Sequence, residues 1–199
     1  MKKLSAPLLL LALLTACTFA PRDTGSAFMF ALQPAQTEQQ KTGNDSLIVF
    51  SPTTSPELDT YRIALNREGR RWDYYAGAKW SDFLPLLVQD NITKTIDETH
   101  LFKTVATGDS GLTGDKILKT EIRAFQAEYA AGRDAPIVKI RLTISLVSRL
   151  ERKPLTSFTI KAEQPAAANT LTAIHAAFAN AFDQAQRQLV AKLAELNKQ

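Results

Sequence analysis

The chain has 199 residues, of which 45% are hydrophobic, with a formal net charge of +4 and one cysteine. This length suits a single domain with a real core, and a lone cysteine excludes a disulfide framework within the chain. Basic and acidic residues are interspersed, so the charge gives little support for a membrane-surface or nucleic-acid role, and no nucleic-acid partner is predicted.

Residues 1–16 have the features of a bacterial export signal. Lys2 and Lys3 precede a run of Leu and Ala that is too short to span a bilayer, since a spanning helix needs about 20 apolar residues. Small residues then lead to the only cysteine, in the sequence Leu14-Thr15-Ala16-Cys17. We interpret residues 1–16 as a signal peptide. An ordinary secretory signal with an incidental cysteine is the alternative.

The sequence that ends at Cys17 resembles the lipobox of bacterial lipoproteins. The resemblance implies diacylation of the Cys17 thiol, cleavage after Ala16 and acylation of the new amino group, and two or more acyl chains anchor a protein stably. Thr18 stands where an Asp retains lipoproteins in the inner membrane, so we expect the periplasmic face of the outer membrane. Residues 17–26 are polar and should form a lipidated tether with a reach of roughly 30 Å.

Residues 27–199 are expected to form one α/β domain that begins with short strands. Ala27–Leu32 and Leu47–Phe50 are apolar runs typical of strands, and the polar segment Gln33–Ser46 between them predicts a loop. A hairpin should follow, because apolar and polar residues alternate from Tyr61 to Asn66 as in a half-buried strand. Its turn is predicted at Asn66–Gly69.

The returning strand of this hairpin is predicted at Arg71–Ala76. From Ala78 the apolar spacing changes to three and four residues, which predicts an amphipathic helix that includes Trp80 and runs to about Thr99. Proline is tolerated only near the first turn of a helix, so Pro85 favours a start close to Ser81.

The second half of the chain predicts a strand at Leu101–Val105 and a glycine-rich loop from Thr107 to Asp115. Lys116–Tyr129 alternates only in part and is compatible with a helix, but we favour a strand because Ile137–Leu150 follows as a clearly alternating partner. Leu155–Ala162 is the next predicted strand.

A long helix capped by Asn169 or Thr170 should end the chain, with an apolar stripe from Leu171 to Leu196. The predicted fold class is therefore α/β, a single domain with a mixed, largely antiparallel sheet of about six strands and two long amphipathic helices.

Catalytic patterns are weak in this sequence. Gly108-Asp109-Ser110-Gly111 resembles the nucleophile motif of chymotrypsin-like proteases, but Leu112 replaces the next Gly, and a flexible turn is the better interpretation. His100 and His175 are far apart, and no set of residues has metal-ligand spacing. The chain also lacks a phosphate-binding glycine loop. No enzyme activity, cofactor or metal is predicted.

Two basic clusters, Arg70–Arg71 and Arg149–Lys153, lie beside predicted turns, and we interpret both as solvated loops. The aromatic residues Trp72, Tyr74, Tyr75 and Trp80 leave two interpretations open. They pack in the core between the hairpin and the first helix, or part of the group forms an apolar surface for a lipid or a partner protein.

The stretch Arg71–Trp80, the Leu-Pro-Leu-Leu sequence at 84–87, the long strand pair and the final helix around Ala173–Ala181 resemble the ABC-type transport auxiliary lipoproteins, the PqiC-like family. The resemblance covers most of the chain after Cys17. The polar loop Gln33–Ser46 is longer than the family pattern.

This resemblance implies a non-enzymatic subunit of an Mce-type lipid transport system. The partner would be a periplasmic Mce-domain protein, with the permease and the ATPase on other chains. A homo-oligomer is left open, since no residue pattern demonstrates one. The alternative is a stand-alone envelope lipoprotein that binds lipid or cell-wall material or aids outer-membrane assembly. An enzyme that uses Ser110, His100 or His175 is a distant third hypothesis.

Overall fold

The structure, a computed structural model, describes residues 27–39 and 43–197. The predicted signal peptide, Cys17 and the tether up to residue 26 lie outside the described residues. Within the described ranges, nine strands form one sheet that two helices accompany. In chain order the elements are β1 (Phe28–Phe30), β2 (Ser46–Val49), β3 (Thr53–Thr54), β4 (Arg62–Arg67), β5 (Arg71–Trp80), α1 (Leu84–Glu98), β6 (Thr104–Thr107), β7 (Lys116–Tyr129), β8 (Ile137–Ser148), β9 (Lys153–Pro165) and α2 (Leu171–Leu196).

Strand β7 is the strand on which the sheet is assembled. Along one edge it pairs antiparallel with β8, and β8 pairs antiparallel with β9. Along the other edge β2, β3 and β4 pair with it in parallel, one after another. Strand β6 extends the sheet beyond β2, while β5 and then β1 extend it beyond β4. The two longest ladders are antiparallel, but the sheet is mixed.

The long strands are amphipathic, as their sequence alternation predicts. Alternate side chains of β8 are buried, while the residues between them are half-buried or exposed; the buried ones are Val138, Ile140, Leu142, Ile144 and Leu146. On the opposite face the hydroxyls of Ser145 and Ser157 lie 3.2 Å apart across β8 and β9. This pattern is typical of an antiparallel sheet with one face on the core and one in solvent.

The helices cover the apolar face. Helix α2 contacts β8 and β9, and α1 contacts β6 and α2. The Thr170 side chain caps α2 by accepting a hydrogen bond from the Ala173 N–H at 3.3 Å, which confirms one of the two predicted capping residues. Phe178 of α2 stacks on Phe125 of β7 with ring centroids 5.7 Å apart, at the centre of the core.

A buried polar network fixes the segment after β1 between the two helices. The Ala35 N–H donates to Thr95 Oγ1 at 3.0 Å, and the Thr95 hydroxyl donates to Gln186 Oε1 at 2.5 Å. The Gln186 amide in turn donates to the Gln33 carbonyl at 3.1 Å. The Ala35 N–H, the Thr95 hydroxyl and the Gln186 amide are therefore each hydrogen-bonded within this network, as is usual for buried polar groups.

The structure corrects the start of the first helix. Helix α1 begins at Leu84, whereas the sequence predicts a start close to Ser81 and a stripe that includes Trp80. Trp80 is the last residue of β5, and its backbone N–H donates to the Tyr61 carbonyl at 2.7 Å. Pro85 lies in the first turn, where a missing N–H costs nothing.

Two further strand predictions need correction. Strand β6 begins at Thr104, because Leu101 and Phe102 enter the core from a bend before the strand. Strand β4 is buried on both faces from Ile63 to Asn66 and is not half-buried. The segment before β4 packs against the hairpin and accounts for this burial. Its Leu58 is 2% exposed, and the Glu57 carbonyl accepts a hydrogen bond from the Tyr74 hydroxyl.

Candidate contact surface on strand β5

Strand β5 carries all four aromatic residues singled out in the sequence, and its path is interrupted by a bulge. The register against β4 shifts between the Ala64↔Tyr74 and Arg62↔Lys79 pairs, so that Ile63 faces residues 75–78. Gly77 lies within the bulge with φ of 70°, a conformation that side chains with a Cβ rarely adopt. The bulge divides the strand into an outer half, with Trp72 and Tyr74, and a buried end.

Trp72 and Tyr74 share one face of the outer half. Trp72 is 39% exposed, opposite Asn66 of β4. Tyr74 is half-buried, and its hydroxyl donates to the Glu57 carbonyl at 3.1 Å. The Arg62 guanidinium lies 3.8 Å above the Tyr74 ring, so an amphipathic surface of aromatic rings and a cation faces outward.

Tyr75 points to the other face and belongs to a hydrogen-bonded chain. Its hydroxyl lies 3.0 Å from that of Tyr129, which donates to Asn169 Oδ1 at 2.7 Å. The Tyr129 hydroxyl has one proton and donates it to Asn169, so the Tyr75 hydroxyl is the donor in its hydrogen bond with Tyr129. Burial and this hydrogen bond raise the pKa of Tyr75, so the phenol is neutral. Its role is to connect β5, β7 and the start of α2.

Trp80 belongs to the core and cannot form part of an exposed contact surface. Only 1% of the residue is exposed, and it lies edge-on to Phe178 and Phe125 with centroid distances of 5.1 and 5.8 Å. Core packing is therefore the correct interpretation for Trp80. Of the four aromatic residues, Trp72 presents the exposed surface.

The sequence reasoning missed a second apolar surface, at the start of α1. Tyr61, Phe83 and Leu86 are 48%, 45% and 46% exposed, and the Tyr61 and Phe83 rings meet edge-on at 5.7 Å. A surface cavity of about 440 Å³ lies beside them, lined in part by Pro52 and Pro85. Leu86 lies outside the apolar stripe of the helix, and this position is the sequence signal that could have predicted the exposed surface. We call Tyr61, Phe83 and Leu86 the α1 patch.

The residues of the enzyme hypothesis are held by separate elements. The Ser110 hydroxyl donates to the Thr107 carbonyl at 2.6 Å within its own turn. His100 Nδ1 lies 3.2 Å from the Glu98 carbonyl, while His175 Nε2 lies 3.0 Å from the Ala31 carbonyl. Among the hydrogen bonds of residues 27–39 and 43–197, none joins two of these side chains, so no nucleophile–base pair is assembled.

Within the described residues there is neither a cluster of metal-ligating side chains nor a helix suited to spanning a membrane. No group of three or more His, Cys, Asp or Glu side chains there is placed to hold a metal ion. Of the helices in the described part of the chain, none is both long and apolar enough to cross a bilayer.

Solved structures share this fold at low sequence identity. A crystal structure of protein XCC0632 from Xanthomonas campestris superposes with a TM-score of 0.75 at 20% identity, covering 86% of this chain and 98% of that one. The hypothetical protein CT253 from Chlamydia trachomatis gives a TM-score of 0.53 at 9% identity, covering 77% of this chain and 96% of that one. At such identities the likeness concerns the fold alone.

Sequence comparison identifies the family. Comparison with curated proteins gives no match. The family model of the ABC-type transport auxiliary lipoprotein component, however, matches residues 30–194. The match runs from the last residue of β1 to near the end of α2, so it spans strands β2 to β9, all of α1 and most of α2. This chain therefore belongs to the family of ABC-type transport auxiliary lipoprotein components.

Proposed function

We propose that the protein is a non-catalytic subunit of an Mce-type ABC lipid transport system, anchored through acylated Cys17 to the periplasmic face of the outer membrane. The observation that carries the proposal is the family match over residues 30–194. A lipobox-like sequence at Leu14–Cys17 precedes this domain and supplies the anchor. The ATPase and the permease would be other chains, and this chain would link the periplasmic assembly to the outer membrane.

The outer half of β5 and the α1 patch are the proposed contact surfaces for the Mce-domain partner. Trp72 offers an exposed indole beside the Arg62–Tyr74 pair, and the α1 patch offers three exposed apolar side chains next to a cavity. Aromatic and arginine side chains are the types that dominate protein–protein contacts. On the opposite face of β5, the hydrogen bond between Tyr75 and Tyr129 holds this strand in place.

Photo-crosslinking tests this surface in cells that contain the complete transport system. A photoreactive amino acid at position 72 or 86 should capture an Mce-domain protein, whereas the same group at position 28 serves as a control. Phe28 is 67% exposed and lies on β1, opposite Ala78 at the buried end of β5, so it belongs to neither proposed surface. Capture of the Mce-domain protein from position 28 but from neither 72 nor 86 would contradict the assignment.

Replacement of the cysteine tests the anchor. The wild-type chain should fractionate with the outer membrane and incorporate labelled palmitate, and Cys17→Ala should do neither. A Cys17→Ala protein that stays bound to the membrane would contradict lipid anchoring. An anchored wild-type protein that has no transport partner would favour a stand-alone envelope lipoprotein.

A further inference from the structure

The β8–β9 turn, defined as residues 149–155 and so including the first three residues of β9, combines exposed leucines with cations. Residues 149–155 are all exposed, in the sequence Arg-Leu-Glu-Arg-Lys-Pro-Leu. Leu150 is 93% exposed and Leu155 is 48% exposed. An aliphatic side chain held almost fully in water gains nothing from folding, so this leucine has no structural role in the isolated domain.

The cations of this turn are Arg149, Arg152 and Lys153. None of them takes part in the ion pairs formed within residues 27–39 and 43–197. Glu151 offsets part of their charge within the turn. The neighbouring loop carries the carboxylates of Asp109 and Asp115, and the Arg149 N–H donates to the Asp115 carbonyl at 2.9 Å. The turn itself keeps an excess of positive charge around an exposed leucine.

Further apolar side chains are exposed at the same end of the sheet. Leu112 is 58% exposed and Phe50 is 42% exposed. Together with Arg149 they line part of a cavity of about 200 Å³ beside the turn. The end of the sheet where β7 begins and β8 ends therefore presents exposed apolar side chains, with the cations of the β8–β9 turn at one edge.

The hairpin turn at the opposite end of the sheet has a different composition. Residues 130–135, between β7 and β8, read Ala-Ala-Gly-Arg-Asp-Ala, with one positive charge, one negative charge and no large apolar side chain. Both turns connect long antiparallel strands of one sheet, so turn formation alone requires neither the leucines nor the charge excess. The difference points to a ligand surface at the β8–β9 end only.

The register of the sheet shows that a tether from Cys17 can reach the plane of this turn. One row of paired residues crosses the sheet from β1 to β4 and contains Met29, Lys79 and Arg62. Continuing the β4–β7 register back by three residues brings this row to Ala124, whose partner on β8 is Arg141. From Arg141 to Ser148 the strand advances about 23 Å. The chain from residue 17 to residue 28 spans up to about 38 Å when extended.

We propose that the β8–β9 turn docks on an anionic lipid bilayer. Leu150 enters the interface, Arg149, Arg152 and Lys153 lie at the level of the phosphates, and Leu112 and Phe50 border the contact. The alternation of cations with a single protruding leucine on a convex turn suits a fluid lipid surface better than a protein groove. This proposal rests on the acylated anchor proposed above, which keeps the domain close to a membrane.

Depth-dependent fluorescence quenching tests the proposal on the complete acylated protein. Acylation occupies the Cys17 thiol, so a Leu150→Cys variant can be labelled at position 150 alone. The matched control is Arg133→Cys, in the turn at the opposite end of the sheet. Both labelled proteins are reconstituted in vesicles of phosphatidylethanolamine and phosphatidylglycerol that contain a spin-labelled quencher lipid. Mass spectrometry of the purified protein reports acylation of Cys17 separately.

The expected result is strong quenching at position 150 and little at position 133. With Arg152→Glu and Lys153→Glu added, the ratio of docked to undocked protein should fall at least about 25-fold, since each cation near an anionic surface contributes about fivefold.

Equal quenching at the two positions on acylated protein overturns the proposal, as does equal docking on pure phosphatidylcholine vesicles. Capture of a protein instead of lipid by a photoreactive group at position 150 overturns it as well. Absence of acylation would instead refute the proposed anchor.

Discussion

Trp80 and Trp72 show that two residues of one strand can have opposite roles. Trp80 is 1% exposed among core aromatic rings, whereas Trp72 is 39% exposed. We expect Trp80→Ala to lower the free energy of unfolding by about 3–5 kcal/mol. Trp72→Ala should cost less, about 1–2 kcal/mol, because 39% of the residue is already exposed in the folded protein. Urea unfolding followed by circular dichroism measures both values, and equal losses for the two variants would contradict this division.

The Tyr75–Tyr129 hydrogen bond makes a pH-dependent contribution to stability. Burial and the bond to Tyr129 raise the pKa of Tyr75 in the folded state. The folded protein therefore retains this proton when the unfolded chain has lost it, and the stabilisation is lost as pH rises above the ordinary tyrosine pKa of about 10. Tyr75→Phe should cost about 1 kcal/mol at neutral pH and should flatten the alkaline loss of stability.

Urea unfolding at neutral and alkaline pH measures the effect of Tyr75→Phe. The matched control is Tyr61→Phe, which removes a hydroxyl from a side chain that is 48% exposed. An alkaline profile of Tyr75→Phe as steep as that of the wild type would show that this phenol does not contribute.

At the scale of secondary structure, one buried glutamine connects both helices to the segment after β1. Gln186 of α2 is 1% exposed and bonds to Thr95 of α1 and to the Gln33 carbonyl. Gln186→Ala would remove the acceptor of the buried Thr95 hydroxyl proton and the donor to the Gln33 carbonyl, which should cost about 1–3 kcal/mol. Gln184→Ala, at an exposed position of the same helix, is the control and should cost little. Thermal unfolding of the two variants distinguishes them, and equal midpoints would contradict the role of the network.

The Asp115 carboxylate fixes the beginning of β2 to the beginning of β7. It accepts hydrogen bonds from Ser46 N–H at 2.8 Å and from the Ser46 hydroxyl at 2.7 Å. These bonds lower the pKa of Asp115, so their stabilisation is complete above the ordinary carboxyl pKa and is lost as pH falls through the lowered value.

Hydrogen exchange of the β2 amides measures this loss. Protection of residues 46–49 should decrease in acid in the wild type, and Asp115→Asn should show weaker protection at neutral pH with less dependence on acid. Protection in β9, which has no contact with this carboxylate, serves as the internal control. A wild-type β2 that stays equally protected in acid would contradict the assignment.

Local pattern predicts the elements whose side chains repeat regularly. The bounds of β7, Lys116–Tyr129, agree with the prediction because its residues alternate and β8 follows as a partner. The predicted start of α1 was wrong because Trp80 stands four residues before Leu84 and Phe83 four before Leu87, although Trp80 ends a strand. Such a coincidence of spacing cannot be recognised without knowing what Trp80 packs against. For the candidate site, the exposure of Trp72 and the α1 patch depended on packing in the same way.

At the scale of the whole molecule, the mixed topology could not be read from local pattern. Strands β2, β3 and β4 reach β7 as parallel neighbours, and residues far apart in sequence, such as Leu47 and Lys116, become partners. A residue's place in a ladder of this kind depends on contacts that no short window of sequence contains. The two-residue strand β3 was missed for this reason. The fold class was nevertheless confirmed, because alternation and helical spacing distinguish strands from helices.

The most direct test of the proposed function is to identify the partners of the anchored protein. The wild-type chain and Cys17→Ala are expressed in cells that contain the transport system, crosslinked in intact cells and purified, and the captured proteins are identified by mass spectrometry. We expect an Mce-domain protein with wild type at the outer membrane, and much less of it with Cys17→Ala. A wild-type protein that is anchored and efficiently crosslinked, but recovers no component of an ABC transport system, would contradict the proposal.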